Sequence, residues 1–261
     1  MPFHRPGVRG VVIVESPLLA GFRHGFTTRV GGRSDAPYDS LNLGGAVGDD
    51  PARVAGNWAL LERETRLAFA RVRQVHGARA VRLEAPGPPS AEADVVVSRT
   101  PGLAACISVA DCAPVLVADP ETGAVAAAHA GWRGTLARAA AEAVRALAAE
   151  VAAPPWRLLA SIGPAIGPCC YEVSPDLAAR FAAEIGPGVV RAGAAPRVDL
   201  WAANAAVLGA AGIAPGRIEI LRRCTSCERE LFFSHRRDAG RTGRQVAFIA
   251  PRAPTGGGPL P

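Results

Sequence analysis

Two histidines and a cysteine stand out by where they fall. His76 follows the run RVRQV, Cys112 follows ISVA and Asp111, and His129 follows GAVAAA. Each reads as lying at or just past the end of an apolar strand. Strand ends gather along one rim of a sheet, so residues distant in sequence can meet there. Two imidazoles and a thiolate make a three-ligand set for zinc with an open fourth position, and the same donors suit copper. Cys112 beside His129 also has the residue types of an activated cysteine nucleophile, which serves acyl or amide hydrolysis. On residue types alone, metal chemistry, hydrolysis and plain core packing all stay open.

His129 stands in HAGWRG, where Gly131 and Gly134 permit a tight turn out of the strand and Thr135 opens a helix. Backbone N–H groups at such a turn can face an anion, and Arg133 would add a planar fork for phosphate or carboxylate. The alternative is a plain β–α turn packed over Trp132. The other cysteines are Cys106, the adjacent Cys169 and Cys170, and Cys224 with Cys227 in CTSC. A lone C-x-x-C supplies only two zinc ligands, and an adjacent pair is poorly arranged to clamp one ion, so buried thiols are expected at these four. RRCTSCERELFFSHRRDAGRTGR interleaves arginines with Phe232 and Phe233, a pattern that can bind single strands, but Glu228, Glu230 and Asp238 dilute its charge. No nucleic-acid partner is expected.

Positioning these residues requires alternating strands and covering helices. Val11–Val14 and Phe26–Thr28 read as strands, followed by the turn-rich TRVGGRSDAPYDSLNLGG. Asp50 caps a helix with Pro51 at its first position, running through Leu67. RVRQVHG, ARAVRLE, ADVVVS, GLAACISVAD, APVLVAD and GAVAAAHA read as strands. A helix from Thr135 places Leu136, Ala140, Val144, Leu147 and Val151 on one face before Pro154 and Pro155 stop it. Arg157–Ile162 is a strand, Ser174 and Asp199 start two further helices, and Arg217–Leu221, Leu231–Ser234 and Gln245–Ala250 close the chain as strands. Strands in runs with fewer helices point to a mixed α/β arrangement with helices on the outer sheet faces.

Composition narrows the chemistry further. The 261 residues contain 29 arginines and no lysine, against 23 acids, for a formal charge of +6. Without lysine there is no Schiff-base chemistry of the pyridoxal phosphate or class I aldolase kind, no Walker A lysine and no kinase-type ion pair. Arginine stays protonated and does not replace it. The richness in alanine, glycine, proline and arginine is what a GC-rich coding bias produces. Val11–Val14 is broken by Glu15 and Pro17, and Leu103 to Ala118 carries Asp111 and Pro114, so neither reads as a signal or membrane span. A cytoplasmic protein without a membrane partner is expected, as a monomer or weak homodimer.

In order along the chain, TTRVGGRSDAPYDSLNLG, RQVHG, ADCAPVLVAD, AAAHAGWRG, IGPAIGPCCYEV and FFSHRRDAGRTGRQ resemble the laccase-domain family, also called the YfiH or polyphenol-oxidase type. The resemblance spans about Gly21 to Ala250. It implies a single four-layer α/β/β/α catalytic domain with mixed sheets over residues 1–252, leaving 253–261 as a disordered tail. It further implies His76, Cys112 and His129 as catalytic metal ligands, with zinc the usual ion and copper possible. The implied activity is phosphorolysis of adenosine, inosine and methylthioadenosine to base and ribose 1-phosphate, with adenosine deamination. Serine-removing editing of peptidoglycan precursors by a Cys/His hydrolase and copper-dependent polyphenol oxidation are the alternatives. Purine nucleosides and phosphate are then the expected partners. Arg29, Asn42 and Arg133 are the candidate phosphate and sugar contacts by their nearness to the motif loops. Asp111, beside Cys112, either orients a histidine or ends a strand.

Overall fold

A computed structural model describes residues 4–6, 10–89 and 91–253. The expected disordered tail, 253–261, lies outside the described residues from position 254 on. Strands β1 (His4–Pro6), β2 (Val12–Val14) and β3 (Arg23–Thr27) precede helix α1 (Pro51–Thr65). Then come β4 (Ala68–Ala70), β5 (Ala80–Arg82), β6 (Val95–Ser98), β7 (Leu103–Val109), β8 (Ala113–Ala118) and β9 (Val125–Ala130). Helices α2 (Trp132–Leu136) and α3 (Ala139–Val151) lead to β10 (Leu159–Ile162) and α4 (Pro175–Glu184). The short pair β11 (Val190–Arg191) and β12 (Arg197–Val198), helix α5 (Leu200–Ala210), β13 (Ile218–Ile220) and β14 (Gln245–Ala250) complete the order.

Two mixed six-stranded sheets form the centre, in the orders β1-β2-β3-β14-β7-β4 and β13-β10-β8-β9-β6-β5. The parallel pairs are β4/β7, β10/β13 and β5/β6. Residue alternation assigns the faces. On β8, Val115 and Val117 pack toward the helices, while Leu116 and Ala118 face the other sheet. On β6, Val95 and Val97 take the helix side and Val96 the inter-sheet side. Strands buried on both faces therefore need continuous apolar runs, which is what VVVS, APVLVA and VAAAHA supply. Phe26, Ile107, Leu116 and Phe232 fill the space between the sheets. Full burial of each such side chain contributes about 1.5–3 kcal/mol.

Helix α1 covers the outer face of the first sheet, with Trp58 edge-on to Phe69 and Phe69 edge-on to Phe248. Helices α3 and α5 cover the second through Val144, Leu147, Val207 and Leu208. The result is the expected α/β/β/α order. No helix among the described residues is long and apolar enough to cross a membrane.

The caps fall where the side chains predict. Asp50 accepts from the Ala52 N–H at 2.8 Å, Ser174 from Leu177 at 3.3 Å and Asp199 from Ala202 at 3.0 Å. Other boundaries differ. Helix α1 stops at Thr65 because Arg66 turns left-handed, so Leu67 is outside it. The helix expected from Thr135 is two pieces, since Arg138 is left-handed and interrupts it. Two expected strands are irregular because a glutamine amide replaces their ladder bonds. Gln74 bonds the Ser108 N–H and carbonyl at 2.7 and 2.8 Å, so 71–77 stays a loop. Gln245 does the same to Phe233 at 3.0 and 3.2 Å, so Leu231–Ser234 is also a loop.

Candidate metal centre

Three separate segments deliver the three residues. Cys112 sits in the turn between β7 and β8, behind Asp111, whose φ is 85°. His129 lies inside β9, paired in register with Pro114 of β8. His76 projects from the loop after β4, itself left-handed at φ 62°. So only Cys112 sits past a strand end, and His76 is not held by a strand at all.

What holds His76 is Asp94, buried immediately before β6. Its carboxylate accepts the backbone N–H groups of Val75 (3.2 Å), His76 (3.0 Å) and Gly77 (2.7 Å). The same carboxylate accepts from His129 Nδ1 at 2.8 Å. One acid thus fixes the loop of one histidine and the ring of the other, leaving His129 Nε2 free to face the thiol. The two imidazole centroids are 4.9 Å apart, and the ligand atoms of His76, Cys112 and His129 all lie within 4.8 Å of one another. His76 is exposed, Cys112 partly buried and His129 buried, so the group opens on its His76 side. Gly131 leaves room for it: a Cβ there would lie 2.5 Å from Cys112 Sγ and 3.9 Å from His129 Nε2.

The electrostatics follow from this packing. Burial pushes the Cys112 thiol up, but the charge of His129 and hydrogen bonds from both histidines outweigh it and bring it down to about 6. Burial pushes His129 down, while Cys112 and Asp94 raise it to about 9. Burial likewise opposes the Asp94 carboxylate, yet the His129 and backbone N–H bonds hold it below the usual carboxylate range. Both shifts favour the charged forms of Cys112 and His129.

The remaining expected residues distribute differently. Asp111 orients neither histidine: its oxygens accept from Thr225 Oγ1 at 2.6 Å and the Arg236 N–H at 2.7 Å. Arg133 stacks over Trp132 at 4.3 Å, on a helix only five residues long, too short to supply much of a dipole. Arg29 is committed to Asp39 (3.0 Å) and the Arg229 carbonyl (3.2 Å), over Phe233, in a separate cleft of about 400 Å³. Asn42 is fully buried, bonding Asp49 (2.8 Å), Gly44 (2.9 Å) and the Arg244 N–H (2.9 Å). It does not reach the centre itself. It instead holds the backbone of Arg244, whose guanidinium donates to the Thr242 and Gly243 carbonyls at 3.0 and 2.9 Å.

Sequence reasoning missed Asp94, Arg244, Tyr171 and Arg236. The acid opening the apolar run ADVVVS was the available signal for Asp94. Arg236 stacks on Tyr171 at 5.2 Å, and the Tyr171 phenol feels Cys112, Arg236 and Arg133. These two residues with Trp132, Glu172 and Leu177 line a cleft of about 470 Å³. Phe232 and Phe233 are fully buried, so the aromatic–arginine segment offers no rings for base stacking. Cys169, Cys170, Cys224 and Cys227 converge within 4.8 Å, contrary to the expectation of unrelated buried thiols, and Cys169 and Cys227 are exposed.

Comparison with known proteins agrees on one relationship. Residues 23–252 match the family described as multi-copper polyphenol oxidoreductase laccase. A Deinococcus radiodurans protein named purine nucleoside phosphorylase is 44% identical over 244 residues, covering 92% of this chain and 93% of its own length. The Escherichia coli protein named purine nucleoside phosphorylase YfiH is 36% identical, covering 92% and 98%. The crystal structure of YlmD from Geobacillus stearothermophilus superposes with a TM-score of 0.90 at 34% identity, covering 97% of this chain and all of that one.

Proposed function

The chain belongs to the multi-copper polyphenol oxidoreductase laccase family, and on that premise we propose that it is a metal-dependent purine nucleoside phosphorylase. Its substrates are adenosine, inosine and methylthioadenosine with phosphate, giving the base and ribose 1-phosphate, and it deaminates adenosine at the same centre. The names of its relatives support the reaction class. The observation that carries the reading in this chain is the Asp94-anchored group of His76, Cys112 and His129, open on one side.

The donors suit a soft divalent ion. His129 has its Nδ1 proton engaged by Asp94, Cys112 is already poised as thiolate, and glycine at 131 keeps the space beside both ligand atoms free. His76, Cys112 and His129 would hold it, with zinc the first ion and copper the second. When bound, such an ion supplies Lewis acidity next to the substrate and lowers the pKa of a nucleophile for attack at purine C6. Trp132 and Tyr171 line the neighbouring cleft, where a planar base would pack along Trp132. Arg133 and Arg236 stack on those two rings, and Arg244 adds a third positive charge whose field reaches Cys112. These three arginines balance phosphate and its developing ester. Asn42 contributes by holding the Arg244 backbone, and Arg29 by closing the adjoining loop onto Asp39.

A second reading has its own geometric support. Asp94, His129 and Cys112 run in the order acid, imidazole, thiol, the arrangement of a cysteine hydrolase, which would serve removal of serine from peptidoglycan precursors. Zinc-loaded protein incubated with adenosine and phosphate distinguishes the two. Ribose 1-phosphate with adenine, and inosine from deamination, are expected. No such product with either zinc or copper restored, together with serine release from a serine-bearing muramyl peptide, would replace the first reading by the second.

A further inference from the structure

The four cysteines outside that centre converge from two irregular segments. Cys169 and Cys170 lie in the turn after β10, where the N–H groups of Cys170 and Tyr171 both bond the Gly167 carbonyl at 2.9 Å. Cys224 and Cys227 lie in the stretch from Leu221 to Arg244, which contains no helix or strand. The backbone already joins the two segments, with Ala165 N–H to the Arg223 carbonyl at 3.2 Å and Thr225 N–H to the Ala165 carbonyl at 3.0 Å. The Sγ of Cys227 is 3.5 Å from that of Cys169 and 3.4 Å from that of Cys170, and all four sulfurs lie within 4.8 Å of one another.

We propose that Cys169, Cys170, Cys224 and Cys227 form a second, structural metal site, a tetrathiolate for a soft divalent ion with zinc first, which staples the 221–244 segment to the turn after β10. The separations resemble a ligand cage: with Zn–S near 2.3 Å, the edge of a tetrahedron of sulfurs is about 3.8 Å. The set is complete at four ligands, as closed structural sites are. One of the four sulfurs has a backbone donor: Cys224 Sγ accepts the Gly167 N–H at 3.3 Å, and N–H donors favour the charged sulfur. Exposure of Cys169 and Cys227 provides a path of entry, and each thiol that binds releases its proton to solvent.

The need for a staple is structural. A connection as long as 221–244 with no regular element must be fixed by other means, and it carries residues that the first centre uses. Thr225, next to Cys224, bonds Asp111 beside Cys112, and Arg236 of the same stretch bonds Asp111 and stacks on Tyr171. The proposal does not depend on the reaction assigned to His76, Cys112 and His129.

Metal content and spectrum decide it without any assay of activity. Protein prepared with zinc under reducing conditions is expected to hold about two equivalents per chain by native mass spectrometry and elemental analysis. The His76→Ala/Cys112→Ala variant should keep about one equivalent, and replacing it with cobalt(II) should give the intense tetrahedral tetrathiolate spectrum. Cys224→Ser/Cys227→Ser should retain only the other ion. If that variant does not fold, the cobalt spectrum in the His76→Ala/Cys112→Ala chain still gives the answer. A wild-type chain with a single ion that vanishes in His76→Ala/Cys112→Ala would overturn the proposal. So would a disulfide among the four cysteines in the reduced preparation with no second equivalent of zinc bound.

Discussion

The two sulfur-bearing clusters use the same fold in opposite ways. The His76/Cys112/His129 group has three donors, a buried carboxylate behind them and an open side toward solvent. The four-cysteine group has a full complement of donors, a backbone N–H at one sulfur in place of a carboxylate, and irregular chain on both flanks. Open coordination with a charged support suits catalysis, whereas closed all-thiolate coordination suits a cross-link. A donor set is therefore legible only with what stands behind it. Asp94 separates the two centres more clearly than the ligand types do.

Changes at Asp94 should break the comparison most strongly. Asp94→Ala leaves the buried His129 imidazole and three backbone N–H groups of the His76 loop without their acceptor, so a loss of roughly 3–5 kcal/mol is expected in urea unfolding. The milder Asp94→Asn should fold and weaken zinc at the histidine–cysteine centre by about 10–100-fold in a chelator competition. The four-cysteine ion should be unchanged in both. Equal loss at the two centres on Asp94→Asn would remove the distinction. Next in size is Gly131→Ala, whose new Cβ must displace Cys112 Sγ. Because ligand distances hold within about 0.2 Å, zinc affinity at that centre should fall on the order of tenfold with the melting temperature little changed.

A contrast between buried histidines sharpens the electrostatic side. His129 is raised by its charged neighbours, whereas burial, the largest influence on His24, lowers its pKa below 6.5 despite opposing contributions from Glu15 and Glu219. His24 accepts the Ser16 N–H at 2.8 Å and donates to the Phe22 carbonyl at 3.0 Å, so the fold holds it neutral. The unfolded chain then binds more protons below pH 6.5, and stability falls as pH drops from there toward the folded pKa. The slope from this residue is at most about 1.4 kcal/mol per pH unit. Urea midpoints of metal-free protein between about pH 7.5 and 5.5 should show it, and His24→Gln should flatten the curve. The smallest effect serves as the control: Asp50→Ala removes the α1 cap for about 1 kcal/mol and should leave both ions in place.

Much of this organisation follows from local pattern. The caps at Asp50, Ser174 and Asp199 stand at the ends of helices, and the apolar runs of β6, β8 and β9 are the inner strands they resemble. His76, Cys112 and His129 come together as the family motifs imply. What local pattern does not carry is support from a distance. Asp94 acts on a loop that folds back onto it, and nothing in ADVVVS specifies that loop. Gln74 and Gln245 stand in for strand backbone, which turns two strand-like runs into loops. The four cysteines meet only because two irregular segments are placed side by side, so neither CC nor CTSC reveals the set. Asn42 lies in one motif yet works through Arg244 of another, FFSHRRDAGRTGRQ, where nothing sets that arginine apart from its neighbours.

Anomalous scattering from crystals of the zinc-grown protein, collected on both sides of the zinc edge, tests the central assignment most directly. A zinc peak bonded to His76, to Cys112 Sγ at about 2.3 Å and to His129 Nε2 at about 2.0–2.1 Å is the predicted result. An empty position there in protein that forms ribose 1-phosphate, with Cys112 instead rapidly alkylated, would contradict it.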